Sequence, residues 1–322
     1  MSFKALTSKI KLAYPPISAY EFEHLKTEKV VQDYIQNAMI YVLAQRPVLS
    51  FEKIELAEFE DCMGISFEIH KQGSESVLKC NLPFLQAEIE SDPEKSVFIE
   101  VGSHSLKTIE VANVYNKIHG IKLLNHEQEF ILWLSPDKFI YEILNGHLEG
   151  RLDGDIDEFI SFIVHYVGKA TDQNIWDRLT GHYTLQQILT LQKPMIDGSL
   201  PAHEVTLLLL KIDDLLSVSI LSDDFLYEED GLPSEKTVSL DLEKMLVKLL
   251  NPEFNHPTKR FPNYPKSKDG LHKFEYNNFS YQILDAVKLK YERSEIYGNI
   301  DENLADLILI KENESVEIIK RI

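Results

Sequence analysis

The sequence predicts a mixed α/β (α+β) protein of two domains, an N-terminal α/β domain over 1–130 and a C-terminal domain over 131–322. Three observations lead there. The 322 residues exceed the roughly 100–200 of one ordinary core. Hydrophobic residues at 44% and charged residues at 26% are the balance of a globular chain with apolar surface to bury. Segments with three- and four-residue apolar spacing also alternate with short β-branched and aromatic runs, so helices and strands interleave.

After the Pro15-Pro16 turn, Val30, Val31, Tyr34, Ile35, Ala38, Met39 and Val42 keep helical spacing and predict a helix from about Tyr20 to Gln45. Phe51–Phe59, Met63–His70 and Ser76–Leu82 read as strands, with Gln72-Gly73-Ser74 as a hairpin turn. A helix rich in Leu, Ala and Glu, a strand Ser96–Val101 and a helix from about Leu106 to Ile118, stopped by Gly120, follow. The domain boundary falls near 124–135. Phe130–Leu134 reads as a strand; Ser135 as N-cap and Pro136 at the first position then open a helix that ends at Asn145-Gly146.

The run Phe159–Gly168 is apolar, β-branched and aromatic, the mark of a strand ending in glycine. Thr171 or Asp172 caps the next helix, which turns Ile175, Trp176 and Leu179 inward and places Arg178 on another face. Gly181 ends it, and Thr184 with Gln187 forms a capping box for a helix over Leu185–Leu191. Val205–Leu210 has strand length. Towards the end of the chain Phe274–Leu284, Leu304–Ile310 and Val316–Ile322 read as strands, the last two a hairpin.

A net charge of −19 excludes a protein that coats nucleic acid, because such binding relies on basic side chains displacing counterions. One stretch runs against that balance: from His256 to Lys273 the bases Lys259, Arg260, Lys266, Lys268 and Lys273 face the single acid Asp269. A confined nucleic-acid site fits this strip, with Phe261 and Tyr264 adding aromatic faces. Cys62 and Cys80 are the only cysteines and lack metal-ligand spacing, so they are expected as reduced thiols. No secretory h-region and no apolar run near the roughly 20 residues of a membrane span is present, and a cytoplasmic protein is expected. His203-Glu204 opens like a zinc-protease helix, but Leu207 stands where the second histidine belongs.

Tyr166-Val167-Gly168-Lys169-Ala170, followed by Arg178 and His182, resembles the second half of the GIY-YIG nuclease motif. Glu243 and the turn Asn251-Pro252-Glu253-Phe254-Asn255 are similar to that family's later element, a helix opening with a glutamate and leading into Pro-x-Tyr-Asn, with Phe in place of Tyr. The resemblance covers about residues 160–270. Its first half-motif has no counterpart in 150–157, where no tyrosine occurs; either that strand is degenerate or its role has moved to His165, His182 or Tyr183.

The resemblance implies a C-terminal GIY-YIG-like domain with a small antiparallel sheet flanked by helices. It also implies a metal-dependent endonuclease acting on DNA ahead of RNA; by analogy of domain pairing, a nuclease joined to an unrelated domain would suit defence against foreign nucleic acid. Glu243 would anchor Mg²⁺ or Mn²⁺ and Arg178 would grip the phosphate. Tyr166, with His182, would orient or deprotonate the attacking water. Lys169, Lys259, Arg260, Lys266 and Lys268 would contact nucleic acid, while Gly168 and Asn255 would shape the site. Spacing adds an independent point, since Glu243 shares its helix face with Leu246, Val247 and Leu250, where a carboxylate needs a partner such as a metal or an arginine. The competing expectation is a non-catalytic module that keeps the site's framework and engages a basic protein partner through the acidic N-terminal half.

Overall fold

The computed structural model describes residues 3–18, 21–22, 25–60, 62–86, 97–102, 110–111, 114–115, 117–172, 175–180, 203–221, 224–226, 231–255, 271–274, 276–311 and 315–320. The chain divides into two compact units, one of 1–46, 161–193 and 204–322, the other of 47–160 and 194–203.

The first unit opens with β1 (Phe3–Leu12), β2 (Ile17–Ser18), α1 (Lys29–Ile35) and β3 (Ile40–Pro47). The chain then builds the second unit from β4 (Leu49–Phe59), β5 (Cys62–Lys71), β6 (Val77–Gln86), β7 (Phe98–Gly102), β8 (Glu110–Val111), β9 (Val114–Tyr115), β10 (Gly120–Leu124), β11 (Phe130–Leu134), α2 (Pro136–Leu144) and β12 (Arg151–Asp153). It returns through β13 (Ser161–Lys169), α3 (Ile175–Thr180), β14 (His203–Leu221), β15 (Asp224–Leu226) and α4 (Glu235–Leu250). The closing elements are β16 (Asn278–Ile283), β17 (Val287–Tyr291), β18 (Ser294–Gly298), β19 (Leu307–Ile310) and β20 (Val316–Ile319).

Among the described residues strands far outnumber helical positions, so the protein is mostly β rather than a balanced α/β fold. The expected small sheet flanked by helices is replaced by one large sheet in the order β18-β17-β13-β3-β14-β1-β16-β19-β20, with β2 and β15 alongside β14. It curls until it is nearly closed like a barrel. At the seam the Asn299 N–H donates to the Ile283 carbonyl at 3.1 Å, and the Asp306 N–H donates to the Tyr297 carbonyl at 2.8 Å. The Tyr297 N–H in turn donates to Asp306 Oδ2 at 2.8 Å. Two parallel pairings hold the sheet together across long stretches of sequence, β1 with β16 and β13 with β17. Neither partnership is signalled by local pattern, because parallel neighbours are joined by no turn.

The helix expected over Tyr20–Gln45 shrinks to α1, and its second half is β3. Seven consecutive residues, Ile40 to Arg46, are buried, which happens only when both faces of a strand are covered. Such a continuous apolar run also satisfies helical spacing, so periodicity could not separate the two states. The hairpin of β17 and β18 lay outside the sequence reading and is formed with Val287 opposite Gly298.

In the second unit β12-β6-β5-β4-β9-β8 make a six-stranded sheet and β11-β10-β7 a three-stranded one. The described part of the helix expected over Leu106–Ile118 is instead β8 and β9, and Ile118 exchanges backbone bonds of 3.0 and 2.7 Å with Phe51. Helix α2 follows the sequence reading: Ser135 Oγ accepts from the Lys138 N–H at 3.3 Å, and Gly146 takes a φ of 69° past the C-cap. Its Phe139 is fully buried, with its ring centroid 4.9 Å from that of Phe67. Both cysteines are free thiols. Among the described residues no helix is long and apolar enough to cross a membrane.

Candidate active site in the first unit

Strand β13 delivers the Tyr166-Val167-Gly168-Lys169 run. It pairs antiparallel with β3, setting Tyr166 opposite Leu43, Gly168 opposite Tyr41 and Lys169 opposite Ile40. The register shifts between Val164 and Tyr166, a bulge at His165 that re-aims the side chains beyond it. His165 is buried, with Nε2 3.1 Å from Gln45 Oε1.

Past the bulge, the turn after α4 completes the β13 edge. Asn255 Nδ2 donates to the Val167 carbonyl and Asn255 Oδ1 accepts from the Val167 N–H, both at 2.9 Å. The Phe254 N–H adds a bond of 3.2 Å to the His165 carbonyl. One side chain thus mimics the paired bonds of a neighbouring strand and ties the Pro252–Asn255 turn to the strand that carries Tyr166. Asn251 ends α4 in the left-handed region at φ 48°, which lets the chain reverse sharply into that turn.

Glycine is required at 168 by close approach. A Cβ there would lie 2.3 Å from Tyr41 Cζ, 2.4 Å from Tyr41 Oη and 2.7 Å from Tyr166 Cε1. The Tyr41 ring therefore lies across the strand at this point, its centroid 5.9 Å from that of Tyr166. Burial lifts the Tyr41 phenol well above its ordinary value, with Tyr166 adding to the rise and the Arg178 guanidinium opposing it. The Tyr41 phenol thus feels both of those side chains electrostatically. Packed with Tyr41 and Tyr166 are Leu43, Val31 and Ile35 of α1, and Ile175, Trp176 and Leu179 of α3. Trp176 stacks on Phe22 at 5.3 Å, which fixes the short helix that carries Arg178.

Glu243 comes from α4. It was expected to open a helix, yet α4 begins at Glu235, with Ser234 as N-cap, so Glu243 sits mid-helix among Leu242, Met245, Leu246 and Val247, all buried. Lys169 Nζ lies 3.1 Å from Glu243 Oε2, the lysine side chain 27% exposed and the glutamate 1%. Asp172 meets Lys236 at 2.7 Å, and this contact holds its carboxyl below the usual carboxylate range.

Tyr166, Lys169, Ala170, Thr171, Asp172, Arg178 and Glu243 line one cavity of about 240 Å³. Of the residues singled out from the sequence, Tyr166, Arg178, Glu243 and Lys169 come together here, with Gly168 and Asn255 behind them. His182, Lys259, Arg260, Lys266 and Lys268 lie outside the described residues. The residue that sequence reading missed is Tyr41. Tyr41 lies far upstream in sequence and comes beside Tyr166 and Gly168 only through the β3–β13 pairing. Its signal was the strand-like run Ile40-Tyr41-Val42-Leu43, obscured by the helical spacing of its neighbours.

The cavity gathers two cations and one buried carboxylate, with a phenol on its wall. Arg178 Nε makes no hydrogen bond among the described residues. A guanidinium with donor capacity to spare beside a lysine suits an anionic, fork-shaped ligand such as a phosphate. No protein-family profile, no curated protein and no solved structure matches this chain.

Proposed function

We propose that this chain hydrolyses phosphodiester bonds of nucleic acid, DNA ahead of RNA, at the cavity between β13, α3 and α4. The observation that carries the proposal is the convergence of Tyr166, Lys169, Arg178 and Glu243, from three separate elements, on that cavity. Likeness to the GIY-YIG nucleases supports it through these residues and not through the fold.

Mg²⁺ or Mn²⁺ is the metal this chemistry calls for, and the residues fit it in one manner. Among the described residues no group of three or more His, Cys, Asp and Glu is assembled, so no all-protein cage is offered. Glu243 supplies one carboxylate, and a hard cation that keeps its waters and takes the substrate's phosphate as a further ligand needs only one or two. Bound there, the ion would neutralise phosphate charge and acidify a water. Arg178 would fork onto non-bridging oxygens, where its charge is worth most as negative charge grows in the transition state. Tyr166 Oη would hold the attacking water in line and accept its hydrogen bond, while the Tyr41 ring packed against it would steady the Tyr166 side chain.

A second reading has its own observation. Lys169 already faces the Glu243 carboxylate, which suits a module that holds a phosphate without cleaving it, leaving the acidic N-terminal half to engage a protein partner. One experiment separates them: incubate the protein with a panel of DNA and RNA substrates in Mg²⁺, in Mn²⁺ and in EDTA, with Glu243→Gln in parallel. Cleavage only with metal, lost in Glu243→Gln while nucleic-acid binding persists, is expected. Binding with no cleavage under any condition favours the second reading, and absence of both binding and cleavage overturns both.

A further inference from the structure

We infer that Lys169 is the resident counter-cation of Glu243, and that a divalent ion enters the cavity by displacing it, which frees the Lys169 ammonium for the substrate phosphate. The inference rests on the reading of Glu243 as the metal ligand.

Glu243 is almost wholly buried, on a helix face of Leu246, Val247 and Leu250. A carboxylate held in such surroundings requires a positive partner, and Lys169 supplies one at 3.1 Å. A divalent ion on the same carboxylate would stand within a few ångströms of that ammonium group, where like charges repel strongly in a partly dry cavity. The two therefore exchange.

The lysine is built for exchange. Its backbone is pinned by pairing with Ile40, so only the side chain moves, and an ammonium on a four-carbon stem is a mobile point charge. Once released it remains within a cavity of about 240 Å³ whose wall includes Arg178 and Tyr166, where the phosphate would sit. The other ion pair of this region cannot serve in its place. Asp172 and Lys236 are 81% and 52% exposed, so water already screens both charges. The exchange predicts ordered loading: the free protein binds the ion weakly, and phosphate strengthens binding by giving Lys169 a new partner.

The test measures Mn²⁺ binding by calorimetry or by the Mn²⁺ electron-spin resonance signal, without nucleic acid, for wild type, Lys169→Met, Lys169→Arg and Glu243→Gln. Lys169→Met should bind Mn²⁺ at least about tenfold more tightly than wild type, since the repulsion is gone. Lys169→Arg, whose planar fork can hold the carboxylate through two bonds, should bind it several-fold more weakly. Glu243→Gln should not bind it in the cavity. If Lys169→Met proves unfolded, the arginine variant decides by the direction of its change. Wild-type binding that depends on Glu243 but is unchanged in both lysine variants, or weakened in Lys169→Met, overturns the exchange and leaves the metal site standing. No Glu243-dependent binding in any folded variant, together with no metal-dependent cleavage, overturns both.

Discussion

Replacing Gly168 by alanine tests whether the Tyr41 ring lies across the strand that carries the site. The backbone at 168 lies outside the left-handed region, so alanine meets no torsional penalty, and the whole effect is steric. The new methyl would meet Tyr41 Cζ at 2.3 Å, and the ring would have to retreat by roughly 1 Å to reach the 3.4 Å at which ordinary contact begins. Tyr41 is fully buried among the side chains of α1 and α3, so retreat means overpacking, at the upper end of about 3 kcal/mol. Alanine returns roughly 0.5–1 kcal/mol by restricting the unfolded chain. The net expectation is a loss of about 2 kcal/mol.

Urea unfolding followed by Trp176 fluorescence, in a Trp133→Phe background, reads the first unit selectively, because Trp176 packs there against Phe22. Tyr41→Leu in the same chain removes the ring and should relieve the clash, giving a coupling of at least about 1 kcal/mol in a double-mutant cycle. Tyr41→Phe should not relieve it, since the closest atom is Cζ of the ring. A Gly168→Ala protein within about 0.5 kcal/mol of wild type, additive with Tyr41→Leu, would refute the placement of Tyr41 over Gly168.

Three further predictions rest on the same packing. Asn255→Ala removes both bonds to Val167 and leaves a buried N–H and carbonyl without partners, so a loss of about 2–4 kcal/mol is expected in the same unfolding assay, with any cleavage activity reduced as the α4 turn detaches from β13. The Cys80 thiol is pushed up to about 12 by burial, so at neutral pH a thiol reagent should label Cys62 in the folded protein and Cys80 only after denaturant is added. Because the folded value lies above the ordinary one, the stability Cys80 contributes is complete below about pH 9 and declines as pH rises towards 12, whereas a Cys80→Ala variant should lose that part of the alkaline decline.

What could be read from the sequence was what neighbours in the chain decide. Ser135 and Pro136 specify a helix start wherever the helix lies, and Asn145-Gly146 specifies its end; α2 forms between those signals. Strands β5, β6, β11 and β13 stand out because turn residues bracket β-branched and aromatic runs. The buried stripe around Glu243 was likewise legible, since helical periodicity sets its neighbours without reference to the rest of the fold.

Only the tertiary structure decided how these pieces associate. Pairing of β1 with β16, of β13 with β17, and closure through Tyr297 and Asp306 join segments far apart in sequence, and a strand's partner is set by which edge is free and which face is apolar. That is why a small sheet was expected and a nearly closed one forms. For the same reason Tyr41 was invisible as a neighbour of Tyr166 and Arg178, and Lys169 could not be matched to Glu243. The sequence determined the chemistry of the candidate residues; the pairing of β3 with β13 and the docking of α4 decided that they share one cavity, because only long-range packing brings a buried carboxylate to its counter-charge.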